Sequence, residues 1–190
     1  MAQELATDVV FPKGNVEHLA QTARRLGVKH LIFCYGLRDP LLKDRAKEIA
    51  MLTDKGFTTE FAVLAASQQE VNRAKSITRS IVGLARPELF EDKRVAYIID
   101  FESGRRDDFI HHRNSGLNQV SIDQAKRTEK TLLVNAHNLL FGPLPQAVVL
   151  GRMRQNAGFF RKYAPHVIAV SGAREPLEMR APRDLQNLLL

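Results

Sequence analysis

Short apolar runs alternate with amphipathic stretches along the whole chain. Runs of 4–8 residues bounded by Gly, Pro and polar residues are typical of buried strands, whereas apolar residues three and four apart are typical of helices. The run VAYIIDF at 95–101 is almost continuously apolar, as strands of parallel sheets are. The run at 80–85 fits either a strand or the end of a helix. The other strands are predicted at 8–11, 29–35, 58–65, 131–136 and 166–170.

Most of the predicted strands are followed by a predicted helix, and several helix starts carry a recognisable signal. Asn15 precedes the first helix as a cap, and Pro40 stands where the second would begin. Ser67 and Glu70 have the spacing of a capping box, and Pro182 is expected to begin the last helix. The stretches predicted to be helical are 16–26, 41–56, 67–77, 114–130, 145–165 and 182–188.

The alternation of strands and helices favours parallel strands joined by right-handed crossovers. About seven strand candidates without a dinucleotide-binding glycine fingerprint favour a closed sheet over an open one. The predicted fold class is therefore α/β, a TIM-barrel-like single domain over residues 1–190, although a doubly wound sheet also fits. At 190 residues the chain is long enough for one core and short for two domains.

The net charge of +7 is concentrated in the last third of the chain. Residues 121–190 contain ten Lys and Arg against five Asp and Glu, whereas residues 1–60 and 61–120 each contain nine against eight. No acidic residue lies between Glu129 and Glu175. A surface of one sign attracts phosphate polymers through counterion release and its long-range field. The alternative is a solvated basic face that maintains solubility.

Composition also bears on the cellular location of the protein and on the disulfides and metal sites that it can form. Cys34 is the only cysteine, which excludes an internal disulfide and a multi-cysteine zinc site. Its apolar neighbours predict a buried position. No apolar run approaches the ~20 residues of a membrane span, and the first residues lack the form of a signal peptide. We therefore expect a cytoplasmic protein that does not associate with membranes.

Arginine side chains near the predicted strand ends are the main candidates for RNA binding. Arg174, Arg180 and Arg183 lie in or beside the loop after the last strand, where α/β folds usually place their binding surface. Guanidinium groups pair bidentately with phosphate and stack on bases, so they rank above lysine. The residues predicted to bind RNA are Arg105, Arg106, His112, Arg113, Arg154, Arg161, Arg174, Arg180 and Arg183.

Several candidates also have a purely structural explanation. Arg180 and Arg183 fit equally well as ion-pair partners of Glu178 or Asp184 that fix the loop. Aromatic rings beside strand runs usually belong to the core, although those of Tyr35 and Phe109 have the shape to stack on bases. The basic residues of the long helix form either a phosphate-facing stripe or a solvated face: Arg152, Arg154, Arg161 and Lys162.

Catalysis by protein groups finds little support in the sequence. Asp100 and Glu102 are spaced to share a strand face, either as an acid–base pair or as partners for nearby arginines. The adjacent His111 and His112 would point to opposite faces of a strand, so no metal site is predicted. No P-loop or hydrolase nucleophile motif is present. No catalytic residue is predicted.

Three segments in the last two fifths of the chain carry a family resemblance. They are RNSGLNQV from Arg113, LLVNAHNLL, and VSGAREPLEMRAPRDLQNL up to Leu188. With the opening run DVVFP, they resemble RNase P protein component 3, the p30-type subunit of archaeal and eukaryotic RNase P. Gly172 and Gln119 depart from the family pattern. The positions that carry the resemblance are Ser115, Gly116, Leu117, Leu139, Leu140, Arg180, Pro182, Asp184, Leu185 and Leu188.

The resemblance implies a function as well as a fold. The fold is a TIM-barrel-like domain related to the polymerase and histidinol phosphatase (PHP) barrels. The partners implied are the RNase P RNA, precursor tRNA, RNase P protein component 2 and other RNase P proteins. In that ribonucleoprotein the RNA removes the 5′ leader of precursor tRNA, with Mg²⁺ expected on the RNA and no cofactor on this non-catalytic protein. Two alternatives are a metal-dependent PHP phosphoesterase and a protein-docking module with an incidental basic surface.

Overall fold

Seven parallel strands follow one another in chain order around a nearly closed barrel. The computed structural model describes residues 6–54, 56–104, 107–108, 111 and 113–189. Every neighbouring pair from the first strand to the seventh is hydrogen-bonded in parallel. The strands are β1 (Thr7–Val10), β2 (His30–Gly36), β3 (Thr58–Ala65), β4 (Ser80–Leu84), β5 (Tyr97–Ile99), β6 (Thr131–Asn135) and β7 (Val167–Val170).

Helices connect the strands and cover the outside of the barrel. In the described residues no helix is both long and apolar enough to cross a membrane. Short 3₁₀ turns at Pro176–Glu178 and Asn187–Leu189 lie on either side of the last helix. The helices are α1 (Val16–Arg25), α2 (Leu42–Ala50), α3 (Gln68–Ala74), α4 (Pro87–Glu91), α5 (Gln119–Arg127), α6 (Ala136–Leu140), α7 (Gln146–Tyr163) and α8 (Pro182–Gln186).

The strand predictions are largely confirmed, and the barrel replaces the doubly wound alternative. The ambiguous run at 80–85 is strand β4. The prediction of a strand over 95–101 was too long, because Asp100 has φ of +63° and therefore leaves the extended region directly after Ile99. The side chain of Ser67 caps α3 as predicted, accepting a hydrogen bond from the Glu70 amide.

Two helix starts and one predicted helix cap differ from the prediction. The predicted helix over 114–130 begins only at Gln119, because Gly116 has φ of +78° and Asn118 caps the helix. Pro40 lies outside α2, which begins at Leu42. Asn15 precedes α1 but makes no capping bond. Its side chain instead donates to the carbonyl of Arg174, so it ties the first loop to the last.

The barrel interior holds a cluster of apolar side chains with at least one from every strand. Because successive strand residues point to opposite faces, the alternate residues of the same strands pack against the helices. Cys34 is buried in the inner cluster, as predicted, and this burial raises the pKa of its thiol. The inner cluster consists of Val9, Ile32, Cys34, Ala62, Val82, Ile99, Leu133 and Val170.

A polar layer lies at the amino-terminal end of the barrel interior, two residues before the apolar cluster. There His30 Nε2 lies 2.9 Å from Glu60 Oε2. The side chains of Ser80 and Tyr97 also hydrogen-bond to this carboxylate. Although burial opposes ionisation, these contacts lower the pKa of Glu60. The polar groups at this end therefore satisfy one another, whereas the opposite end carries the loops with exposed cations.

Asp8 joins the first and last strands of the barrel. Its Oδ1 accepts hydrogen bonds from the amides of Val9 (2.8 Å) and Ser171 (2.6 Å), and its Oδ2 accepts one from the Ser171 hydroxyl (2.7 Å). Two backbone bonds, from the Gly172 amide to Val9 and from the Phe11 amide to the loop after β7, continue the contact. The carboxyl is completely buried, and this burial raises its pKa to about 6 despite the hydrogen bonds.

We expect the variant Asp8→Asn to change how stability depends on pH. The Asp8 carboxyl has a pKa near 3.8 when unfolded and about 6 when folded. The unfolded state therefore loses this proton first as pH rises, and the wild-type free energy of unfolding decreases across that window. The amide variant keeps an acceptor oxygen without a titrating charge. Relative to wild type it should gain about 2–3 kcal/mol between acidic and neutral pH.

Urea unfolding of both proteins across this pH range measures the difference directly. Comparison of the two proteins removes the contributions of all other titrating groups. Asp8→Ala is the control, because it deletes the acceptor for three donors and should be destabilised at every pH. Stability curves of wild type and Asp8→Asn that run parallel over the range would contradict the expectation.

Candidate nucleic-acid interface

Exposed cations occur in several of the loops that follow the barrel strands. Lys13 follows β1, Arg38 follows β2, Arg86 follows β4 and Arg174 follows β7, and all four are exposed. Because the strands are parallel, their carboxyl ends and these loops lie at the same end of the barrel. We call these four residues the basic rim. The rim offers a phosphate chain several exposed cations at the barrel mouth.

The carboxylates in the same loops are directed to hydrogen-bond donors of the loops themselves. Asp39 accepts from the Leu41 amide at 2.8 Å, and Glu70 from the Ala66 amide at 2.6 Å. Glu178 accepts from the Arg174 amide at 2.7 Å, and Glu175 from the Asn15 side chain. None of the rim cations forms an ion pair with an acid in the described part of the chain. Their charges are therefore available to a ligand.

The loop after β7 holds the guanidinium of Arg180 in place. Its Nη1 donates to the carbonyls of Leu177 (2.9 Å) and Met179 (2.7 Å), which leaves the rest of the group free for other contacts. Arg183 is exposed on α8. Within the described residues, neither arginine forms an ion pair with Glu178 or Asp184. The structure therefore does not support the alternative in which Arg180 and Arg183 form ion pairs that fix the loop.

Arg113 is part of a network with Asp108 and Arg152. Its Nη1 donates to Asp108 Oδ2 at 2.9 Å, and Arg152 Nε donates to Asp108 Oδ1 at 2.9 Å. Although burial opposes ionisation, the hydrogen bonds from Arg113, the Asn114 amide and Arg152 lower the pKa of Asp108 to about 2. A Cβ at Gly151 would lie 3.0 Å from Arg113 Nε, so the guanidinium lies against bare helix backbone. About half of the Arg113 side chain remains exposed.

The interpretation of Arg152 as a surface cation is wrong. Its side chain is only 2% exposed, and its Nη1 donates to the carbonyls of Glu102 (2.9 Å) and Gly104 (2.6 Å). Arg154 and Arg161 are exposed on α7, as predicted. With a rise of about 1.5 Å per residue, Arg161 lies roughly 22 Å along α7 from Gln146. The structure therefore places Arg161 well away from the basic rim.

Three polar side chains form the floor of the barrel mouth at the ends of β5 and β6. The amide groups of Asn135 and Asn138 both donate to Asp100 Oδ1 at 2.8 Å. Asn135 Oδ1 accepts from the His137 amide and so caps α6. A Cβ at Gly172 would lie 1.9 Å from Asn135 Oδ1, and Gly172 has φ of +62°. Gly172, which departs from the family pattern, is therefore a residue that fits against Asn135 in the floor.

Glu102 is buried close to this floor. Neither of its carboxylate oxygens has a hydrogen-bond partner among the described residues. Burial raises the pKa of Glu102 well above its usual range, and the charge of Asp100 raises it further. The pair predicted at Asp100 and Glu102 is therefore close in space, and the buried member favours its neutral form. The arginines suggested as its partners, Arg105 and Arg106, lie outside the described residues.

Comparisons with known proteins show a similarity of fold to a solved structure. No family model and no curated protein matches the sequence. The chain is similar to a chain in a cryo-EM structure of archaeal ribonuclease P with mature tRNA, with a TM-score of 0.72 and 18% identity. The similarity covers 96% of this chain and 80% of that one. This chain has the fold of that RNase P chain.

A second solved structure, a short chain dehydrogenase from Mycobacterium smegmatis, shows only a distant similarity. It has a TM-score of 0.38 and 12% identity over 98% of this chain and 87% of its own, which is too weak for a conclusion. The barrel predicted from the sequence and implied by the family resemblance is confirmed by the structure and by the RNase P match. The similarity between this chain and the RNase P chain extends over almost all the strands and helices of this chain.

The structure brings together only some of the residues predicted to bind RNA. Arg174 and Arg180 lie at the barrel mouth, Arg183 lies on the adjacent helix, and Arg154 and Arg161 lie on the outer face of α7. Arg113 is half exposed and paired with Asp108, away from the four residues of the basic rim in sequence. The other candidates and the aromatic residue proposed for stacking lie outside the described residues: Arg105, Arg106, His112 and Phe109. Tyr35 is a core residue. His111 is exposed, and among the described residues no three His, Cys, Asp or Glu could hold one metal ion.

Sequence reasoning missed three members of the basic rim. Lys13, Arg38 and Arg86 lie in the half of the chain where acids and bases nearly balance, so regional charge did not mark them. A different signal was present in the sequence. Each is the first cation after a predicted strand, and in a parallel barrel the first residues after strands gather at one end. Position relative to strand ends would therefore have been more informative than net charge.

Proposed function

We propose that this chain is a protein subunit of RNase P, the ribonucleoprotein that removes the 5′ leader from precursor tRNA. The observation that carries the proposal is the fold similarity to a chain of archaeal RNase P over 96% of the chain. The sequence resemblance of residues 113–188 to RNase P protein component 3 points independently to the same complex. The basic rim adds a physical reason, since unpaired cations around the barrel mouth suit a phosphate backbone.

In this proposal the chain supports a catalytic RNA and does not perform the chemistry. Phosphate groups of the RNase P RNA lie along the basic rim and beside Arg180 and Arg183. Cleavage takes place on the RNA with Mg²⁺ bound there, and the chain itself has no cofactor. Its other partners are precursor tRNA within the assembled enzyme, RNase P protein component 2 and further RNase P proteins. The complex works in the cytoplasm.

Reconstitution with a cognate RNase P RNA tests the assignment as a whole. Cleavage of precursor tRNA should be faster, or should need less Mg²⁺, when this chain is added together with the other protein subunits. An unchanged rate would contradict the proposal. Hydrolysis of phosphoesters by the chain alone, together with tightly bound transition metal, would instead support the phosphoesterase alternative.

Charge removal at the last loop tests where the RNA binds. The triple variant Arg174→Gln, Arg180→Gln, Arg183→Gln should bind RNA about 100-fold more weakly at moderate salt. Each lost phosphate contact reduces the slope of log K against log salt by about 0.7–0.9, so the slope should flatten by about 2–3. Filter binding over a range of salt concentrations measures both quantities. Urea unfolding of the triple variant checks that the loss of the Arg180 hydrogen bonds has not destabilised the protein.

A matched triple variant removes the same charge from the opposite end of the barrel. Arg25, Arg73 and Arg127 are exposed in the last turns of α1, α3 and α5, beside the amino ends of the strands. Substitution of these three by Gln leaves the same net charge as the first variant. It should change neither the slope nor the affinity by more than a few-fold. An equal effect of both triple variants would contradict binding at the barrel mouth.

A further inference from the structure

Phe141 presents an aromatic ring to solvent beside the barrel mouth. It is the one exposed Phe or Tyr side chain among the residues that the structure describes, with 49% exposure. It lies directly after α6, in the turn that leads to α7. Exposure of so large an apolar ring costs hydration free energy, which is recovered when a flat ligand covers it.

The turn holds this ring in a fixed position. The Phe141 amide donates to the His137 carbonyl at 2.8 Å. A Cβ on Gly142 would lie 2.3 Å from the Asn138 carbonyl, so the chain passes tightly against the end of α6. The ring centroids of Phe141 and His137 are 5.3 Å apart, with the ring planes inclined at 42°. A ring that is already held in place loses little conformational entropy when a ligand binds.

The loop after β7, which carries Arg174 and Arg180, approaches His137 through Glu178. His137 Nδ1 lies 3.4 Å from Glu178 Oε2, and that same oxygen accepts the hydrogen bond of the Arg174 amide. Burial, together with the charge of Arg174, lowers the pKa of His137. The histidine ring is therefore neutral at neutral pH and supports Phe141 as an aromatic surface. Arg180 lies further along this loop, anchored on its carbonyls.

We propose that Phe141 stacks on an unpaired base of RNA while Arg174 and Arg180 hold the phosphates on either side of that base. This inference rests on the proposed function and specifies the form of RNA that binds at this part of the mouth. Aromatic rings bind unpaired bases by stacking, whereas a duplex keeps its bases stacked inside and offers only its backbone and grooves. An aromatic platform flanked by cations therefore selects a loop or a bulge.

The charge around Phe141 favours this ligand over an apolar protein surface. Glu178, the acid beside His137, is directed to backbone amides and the histidine, and Arg174 is exposed. A protein partner that covered the ring would bring its own surface against these cations and would need acids to match them. RNA supplies a flat ring and an anion within each nucleotide.

Phe141→Ala should weaken binding of a single-stranded oligoadenosine about tenfold, because the base loses the aromatic side chain on which it stacks. The slope of log K against log salt should stay unchanged, since no phosphate contact is lost. Binding of a blunt RNA duplex with the same number of phosphates should also stay unchanged. Met51→Ala, which removes a side chain 78% exposed at the end of α2, is the matched control and should have no effect.

The variant Phe141→Trp gives a direct signal for stacking. The natural chain contains no tryptophan, so the variant has a single indole fluorophore. Oligoadenosine should quench its emission by stacking on the indole, and the duplex should leave the emission unchanged. Equal quenching by both RNAs would overturn the proposal, as would undiminished oligoadenosine binding by Phe141→Ala.

Three further outcomes distinguish base stacking from protein docking and from a failure of the proposed function. Loss of binding to a partner protein by Phe141→Ala, with RNA binding intact, would overturn stacking in favour of a protein-docking surface around Phe141. Failure of the wild-type chain to bind either RNA, or to support cleavage in the reconstituted enzyme, would overturn the proposed function itself. Duplex binding without a preference for single strands would leave the proposed function standing and remove only the stacking site.

Discussion

Arg152→Met should lower the free energy of unfolding by about 3–5 kcal/mol, although methionine keeps an unbranched apolar stem and suits a helix. The methionine leaves Asp108 with one cation fewer. It also leaves the buried carbonyl of Glu102 and the carbonyl of Gly104 without the Arg152 donor. Removal of one partner from a buried charged network costs far more than the network itself contributes. Urea unfolding monitored by circular dichroism measures the change.

Arg154→Met is the matched control on the same helix. Arg154 is exposed, so its substitution should change stability by no more than about 0.5 kcal/mol. The two variants remove the same charge two residues apart. If both proteins unfolded at the same urea concentration as wild type, Arg152 would not have the structural role assigned to it. A pronounced loss of stability in the Arg154 variant would equally contradict the placement of the two arginines.

Gly116→Ala should destabilise the protein by about 4 kcal/mol or more. A Cβ at this position would lie 2.0 Å from the Phe101 carbonyl oxygen and 2.7 Å from its carbon, and Gly116 has φ of +78°. The obstacle is backbone, so no side-chain rotation can relieve it. The segment is also fixed on its other side, because Asn156 Nδ2 donates to the Ser115 carbonyl and Gln155 Nε2 to the Ser115 hydroxyl.

A second glycine provides a control for which the expected change in the free energy of unfolding has the opposite sign. Gly158 lies within α7, and a Cβ there would meet nothing within 4 Å. Gly158→Ala should therefore raise the free energy of unfolding by about 0.5–1 kcal/mol, since alanine favours the helix. Thermal unfolding of both variants tests the pair. Similar shifts in melting temperature for the two would show that the backbone around Gly116 moves more easily than its contacts imply.

The fold was predictable because its signals are local and repeated. Each strand is a short apolar run, and the alternation with helices occurs often enough to determine parallel pairing. The errors lie where one backbone angle changes the course of the chain. The positive φ of Asp100 ends β5 after Ile99, and that of Gly116 delays α5 until Gln119. The residue pattern around Asp100 gave little sign of this, since a positive φ is uncommon for aspartate even though it is enriched there relative to most residues.

The functional surface was less predictable, because charge alone does not say which way a side chain points. Arg152 and Arg154 contribute equally to the positive charge of the last third of the chain, yet Arg152 is buried and Arg154 is exposed. Helical periodicity contained the distinction: Arg152 lies on the stripe formed by Val149, Met153 and Ala157, all of which are buried. The exposure of Phe141 could not be foreseen, because it depends on how the turn after α6 packs against neighbouring loops.

The contact between Asp8 and Ser171 joins positions separated by 163 residues. During synthesis on the ribosome, β1 therefore emerges long before its second neighbour, and until then it pairs only with β2. Closure of the ring between β1 and β7 carries a large loop-closure entropy and cannot occur until β7 has been translated. The mouth of the barrel, whose loops belong to both β1 and β7, takes its final shape only at that step.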